Sequence, residues 1–156
     1  MLSSIILCTD GSEVSVAALR SGLDLLQPAE RVVVVTVVET MDVAMAQGAS
    51  GFAGPVVTEE EVHAERSAAL AHGQDVLDAT IAALGLDEVD ARVLEGPVGG
   101  ELCRLAEDLG ARAIVLGTRG RGGVKRALLG SVSDHVVRNA PCPVVVTHHD
   151  SEPESD

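Results

Sequence analysis

The sequence predicts an α/β domain built on a parallel sheet, and two observations carry that prediction. Short β-branched runs alternate with helical patterns along the chain, the order expected when each strand is followed by a crossover helix. The run Val32 to Val35 is apolar at every position, as a strand covered on both faces should be. At 156 residues the chain fits one domain. That domain is expected over residues 1–149, followed by an acidic, disordered tail at 150–156.

Each element has its own local signal. Ser4 to Cys8 reads as the first strand, ending at Thr9-Asp10-Gly11-Ser12. Ser12 caps a helix from Glu13 to about Leu26, with Val14, Ala17, Ala18, Ser21 and Leu25 expected on one stripe. Arg31 to Val38 is the second strand. Thr40 to Val57 holds Gly48, Gly51, Gly54 and Pro55, with Asp42 as its one charge. A loop of that length reads as a functional lid or a locally disordered stretch. Thr58-Glu59-Glu60-Glu61 is a capping box that opens a long helix towards Leu84. Val89 to Leu94 and Pro97 to Leu109 follow as strand and helix. Ala113 to Leu116 is the fourth strand, running straight into Gly117. Ser131 to Asn139 is the last helix, stopped before Pro141, and Pro143 to Thr147 is the fifth strand.

Composition excludes several function classes. Hydrophobic residues make up 46%, enough for a buried core. The 24 acids against 11 bases give a formal charge of −13, which opposes general binding to nucleic acid or anionic membranes. Phe52 is the sole aromatic ring of the Phe, Tyr and Trp kind, so single-strand stacking platforms are absent. Cys8, Cys103 and Cys142 lie far apart with no metal-ligand spacing. Their odd number and the start of the chain suggest reduced thiols in a cytoplasm. No apolar stretch approaches the ~20 residues of a membrane span.

Chemistry concentrates between Gly117 and Ser133. Glycines at 117, 120, 122, 123 and 130 are expected to permit positive φ and close approach of a ligand. The segment leaves the carboxyl end of a parallel strand, where open α/β sheets bind ligands. The helix starting near Gly130-Ser131 offers free N–H groups and a positive dipole end to an anion, with Ser131 and Ser133 as added hydroxyl donors. Arg119, Arg121, Lys125 and Arg126 are four of the chain's 11 bases, and no acid lies between Leu109 and Ser133. One phosphate charge ~4 Å from a guanidinium gains roughly 4 kcal/mol at an effective dielectric of 20, before desolvation. The pattern therefore favours a polyphosphate. It is neither a Gly-Lys-Ser/Thr phosphate loop nor the GxGxxG dinucleotide fingerprint.

These residues resemble a known family. Gly117-x2-Gly120-x9-Gly130-Ser131-Val132-Ser133 looks like the nucleotide-binding motif of the universal stress proteins. Ile5 to Ser12, Val34 to Glu39 and Ala140 to Val146 resemble the family's first, second and closing strands, although His is commoner there than Thr36. The resemblance implies an open five-stranded parallel sheet of order 3-2-1-4-5, helices on both faces, and ATP or another adenine nucleotide across the strand ends with Mg²⁺. Asp10 would bond the ribose, Thr9 would line the adenine side, and Cys8 and Val37 would offer backbone to the base. Leu116 and Gly117 would flank the ribose. Gly120, Gly130, Ser131, Val132 and Ser133 would hold the phosphates, and the charge argument adds Arg119 and Arg121. Asp10-Gly11 also reads as ordinary turn chemistry.

Other features carry less. His148-His149-Asp150 reads as a solvated tail, His63 and His72 as surface residues, and His135 as packed or exposed. Cys8 and Cys142 read as buried, inert thiols. Ser131 and His135 share a helix face, but no nucleophile–base pair can be defended, so catalysis would at most be slow hydrolysis of ATP through positioning and Mg²⁺. In the family's strand order Pro143 to Thr147 is an apolar outer strand, and such an edge invites pairing. A homodimer joined along it is expected, acting as a nucleotide-dependent stress-response or signalling module.

Overall fold

A computed structural model describes residues 3–40, 57–118 and 129–148. In chain order these form β1 (Ser4–Cys8), α1 (Glu13–Leu26), β2 (Arg31–Val38), α2 (Glu59–Leu84), β3 (Asp90–Glu95), α3 (Val98–Leu109), β4 (Ala113–Gly117), α4 (Ser131–Asn139) and β5 (Val144–Thr147). The strands make one sheet of order β3-β2-β1-β4-β5, and every pairing is parallel. The expected α/β class and strand order both hold. The long segment at 41–56 and the tail at 149–156 lie outside the described residues.

Each sheet face carries its own core. Ile6, Val33, Val35, Ile114 and Leu116 pack with Leu102, Leu105 and Ala106 of α3 and Val136 of α4. Ile5, Leu7, Val34 and Val115 pack on the other face with Leu19 and Leu23 of α1 and Leu77 of α2. The apolar run in β2 is thereby explained, since alternate side chains enter alternate cores.

Local chemistry sets the helix ends. The Ser12 side chain accepts from the Ser15 N–H at 3.1 Å, and Thr58 and Glu61 form the reciprocal capping box. α2 and α3 end at left-handed Gly85 and Gly110, the usual way to turn the chain out of a helix.

The buried stripe of α1 differs from the sequence expectation. Ser15, Ala18, Leu19, Gly22 and Leu23 face inward, whereas Val14 is 38% and Leu25 73% exposed. A close approach to the sheet decides this rotation. A Cβ on Gly22 would stand 2.3 Å from Val115 Cγ1, so the helix lays its smallest residues against β4. Small boundary shifts also occur: β3 begins at Asp90, and Pro97 is the N-cap of α3 rather than its first residue.

Candidate functional site

From the centre of the sheet, β1 leads through α1 on one face towards β2, while β4 leads through α4 on the other face towards β5. Adjacent strands whose following helices diverge in this way leave a crevice beyond their carboxyl ends, the usual ligand position in open α/β sheets. The first wall of that crevice is the turn after β1. Its path is fixed by the Thr9 N–H, which donates to Val35 O at 2.9 Å.

Internal hydrogen bonds then fill the turn. The Gly11 N–H donates to Thr9 Oγ1 at 3.0 Å, with Gly11 at φ 82°, a conformation glycine adopts without strain. Asp10 Oδ1 accepts from the Ser12 N–H at 2.9 Å and the Ser12 hydroxyl at 2.6 Å. The other carboxylate oxygen behaves differently. Among the described residues, Asp10 Oδ2 is the one buried side-chain polar atom without a hydrogen-bond partner. Turn chemistry and an unpartnered acceptor therefore coexist on one side chain.

The second wall is built from the end of β4 and the start of α4. The Thr118 N–H donates to Thr147 O at 3.0 Å, and Thr118 O accepts from the Gly130 N–H at 3.2 Å. Gly130 is the N-cap of α4 and supplies no side chain to cap it. Its carbonyl accepts the Asp134 N–H at 2.9 Å, so the N–H groups of Ser131, Val132 and Ser133 form the first turn, without intrahelical acceptors. The expectation that Gly130 is needed for positive φ is corrected. Its φ is −64°, and what demands glycine is space, because a Cβ would stand 2.9 Å from Thr118 O. The Ser133 hydroxyl donates to Gly130 O at 3.1 Å, which leaves its backbone N–H as its contribution to the crevice.

Cys8 thus ends β1 with Thr9 and Asp10 in the turn after it, Leu116 and Gly117 end β4, and Gly130 to Ser133 open α4 beside the end of β4. Val37 sits two residues past Val35, the β2 partner of Cys8. Arg119, Gly120 and Arg121, with Lys125 and Arg126, lie outside the described residues. Burial, and then the Asp10 charge, push the Cys8 thiol up to about 12, so it stays protonated and unreactive. His63, His72 and His135 are exposed, and the His135 ring lies against Gly99. Among the described residues no three His, Cys, Asp or Glu side chains form a metal-binding group, and no helix is long and apolar enough to cross a membrane.

Sequence reasoning missed Thr80. Its hydroxyl lies 3.0 Å from Thr9 Oγ1, although the two residues are 71 positions apart. A threonine on a long, mostly exposed helix carries no local signal of such a pairing.

Residues 1–148 match the model of the universal stress protein family. The chain belongs to that family. A universal stress protein of Methanocaldococcus jannaschii is 44% identical over 59 residues, 38% of this chain and 35% of that relative. A putative universal stress protein of Staphylococcus epidermidis is 42% identical over 71 residues, 45% of this chain and 43% of that relative. The matched segments therefore span less than half the length of either relative. Among solved universal stress proteins, UspA from Lactobacillus plantarum superposes with TM-score 0.69 at 20% identity, covering 93% of this chain and 97% of that one. One solved in complex with cAMP gives TM-score 0.58 at 23% identity, covering 94% and 97%. A family member from Arabidopsis thaliana with AMP bound gives 0.54 at 16% identity, covering 98% and 97%. At these identities the likeness establishes the fold.

Proposed function

We propose that this universal stress protein binds an adenine nucleotide, ATP foremost, as a nucleotide-dependent stress-response or signalling module in the cytoplasm. The observation that carries the reading is the buried, unpartnered Asp10 Oδ2. A carboxylate oxygen left without a donor costs at least 1–3 kcal/mol, and a ribose diol brings two hydroxyl donors to it. Opposite, the uncapped start of α4 offers the donors and dipole end that hold phosphate. In this reading Asp10 takes the sugar and the start of α4 takes the anion, the two ends of a nucleotide.

Thr9 then lines the adenine side, and Cys8 and Val37 offer backbone to the base. Leu116 and Gly117 flank the ribose. The N–H groups of Ser131, Val132 and Ser133 meet the phosphates beside Gly130, and Arg119, Gly120 and Arg121 belong to the same phosphate-facing motif. Mg²⁺ would be held by the phosphate oxygens. Support comes from the fold relatives solved with cAMP and AMP. Homodimer formation through β5 completes the proposal, since Val144, Val145 and Val146 are only partly buried on an outer strand with one sheet neighbour.

Calorimetric titration with ATP, AMP and adenosine, with and without Mg²⁺, tests the central claim, together with mass identification of any co-purifying nucleotide. Micromolar to sub-millimolar binding is expected. No binding up to millimolar ATP defeats the proposal. Sedimentation tests the dimer, and a monomer mass at all concentrations refutes it.

A further inference from the structure

Thr9 and Thr80 are 3% and 1% exposed, and their hydroxyls are paired at 3.0 Å. Thr9 Oγ1 also accepts the Gly11 N–H. The helix that carries Thr80 approaches the same turn a second time, one helical turn earlier, at Gly11. The Val76 methyl carbons lie 3.1 Å from where a Gly11 Cβ would stand. α2 therefore meets the Thr9–Gly11 turn through a hydroxyl pair and an apolar contact, on the same face four residues apart. The turn so held directs Ser12 onto Asp10 Oδ1 and leaves Oδ2 without a partner.

We propose that Thr80, assisted by Val76, is a positioning residue for the nucleotide site, clamping the Thr9–Asp10–Gly11 turn from the long helix α2. This rests on the adenine-nucleotide reading for its consequence, although the clamp itself is a property of the ligand-free protein. The physical reason is the cost of alternatives. Without the Thr80 hydroxyl, Thr9 sits in a buried setting with one partner fewer, and the turn is free to swing its hydroxyl towards water. Asp10 is the next residue, so any such movement displaces the acceptor meant for the ligand.

Thr80→Val keeps the branched shape and removes the hydroxyl, while Thr80→Ser keeps the hydroxyl. Amide hydrogen exchange on the ligand-free protein reads the clamp directly, because the Gly11 and Ser12 N–H groups both donate within the turn. Thr80→Val is expected to speed exchange at these two amides about threefold to tenfold, the range of one lost hydrogen bond. Ile5, Ile6 and Leu7 should stay protected, and Thr80→Ser should restore the wild-type rates. ATP titration of the same variants should show affinity reduced by a similar factor and rescued by serine. Val76→Ala provides a second route with the hydroxyl pair intact, and should shift the same two amides should Thr80→Val fail to fold. Unchanged exchange at Gly11 and Ser12 in the folded variants overturns the clamp. Faster exchange with unchanged ATP affinity overturns the positioning role. Faster exchange in a protein whose wild type binds no nucleotide supports the clamp and defeats the nucleotide reading.

Discussion

The two helices that open onto the crevice begin in opposite ways. α1 is capped by its own side chains: Ser12 bonds Ser15, Asp10 bonds Ser12, and Thr9 takes the Gly11 N–H. α4 begins at a glycine pressed against Thr118 O, with no side-chain cap. The first start pairs the Gly11, Ser12 and Ser15 N–H groups with side chains and leaves an acceptor, Asp10 Oδ2. The second leaves donors. The same strand end in the same fold is thus given two polarities by a few residues, and a ligand that is a polyol at one end and an anion at the other matches both.

Substitutions that act on one wall and spare the other test the comparison. The largest effect is expected from Asp10→Asn, which keeps an amide oxygen for Ser12 but presents an NH₂ group where the free carboxylate oxygen stood. Hydrogen bonds to charged groups are worth about 1.5–3 kcal/mol, so affinity should fall roughly tenfold to a hundredfold. ATP and adenosine should lose alike, and a 2′-deoxy ligand should lose less. Equal loss of affinity and folding stability, read by calorimetry and urea unfolding, would count against the ribose role.

Gly130→Ala addresses the other wall. The added Cβ meets backbone rather than a flexible side chain, and such overpacking costs about 1–3 kcal/mol. ATP affinity should drop about tenfold while adenosine affinity hardly changes. If adenosine suffers as much as ATP, the division of labour between the walls is wrong.

Smaller effects sharpen the contrast in capping. Ser12→Ala removes a working cap and should cost about 1 kcal/mol in urea unfolding. Ser131→Ala, at an exposed position with no cap bond to lose, should stay within ~0.5 kcal/mol.

The smallest signal concerns Cys8. Its thiol titrates near 12 in the fold against a reference of 9.0. A folded value above the unfolded one leaves stability intact below pH 9 and erodes it as pH rises towards 12. The chain has no tyrosine, so no phenol contributes to this alkaline limb. Cys8→Ala should flatten part of the decline, and iodoacetamide should label Cys8 far more slowly than a free thiol at about pH 8.5.

Several elements were legible because their causes are local. β2 announces itself through its unbroken apolar run, α2 through Thr58 and Glu61, and α1 through Ser12. The spacing of Gly117, Gly130 and Ser131 marked the second wall, and Asp10 marked the first. The rotation of α1 was not legible. Val14 and Leu25 looked like core residues, and only the approach of Gly22 to Val115 turned them outward. Gly130 was assigned the wrong reason for the same cause, since its neighbour Thr118 O is brought by the fold.

The sequence alone determined the α/β class, the order of strands and helices, and the residue types at the strand ends, because propensity, capping and hydrophobic period act over a few neighbouring residues. Tertiary structure alone decided which of those residues are constrained by contact. Thr80 meets Thr9 across 71 positions, Val76 meets Gly11, and one Asp10 oxygen is buried without a donor. Partnering and burial of a polar atom depend on every element packed around it, and no stretch of chain carries that information by itself.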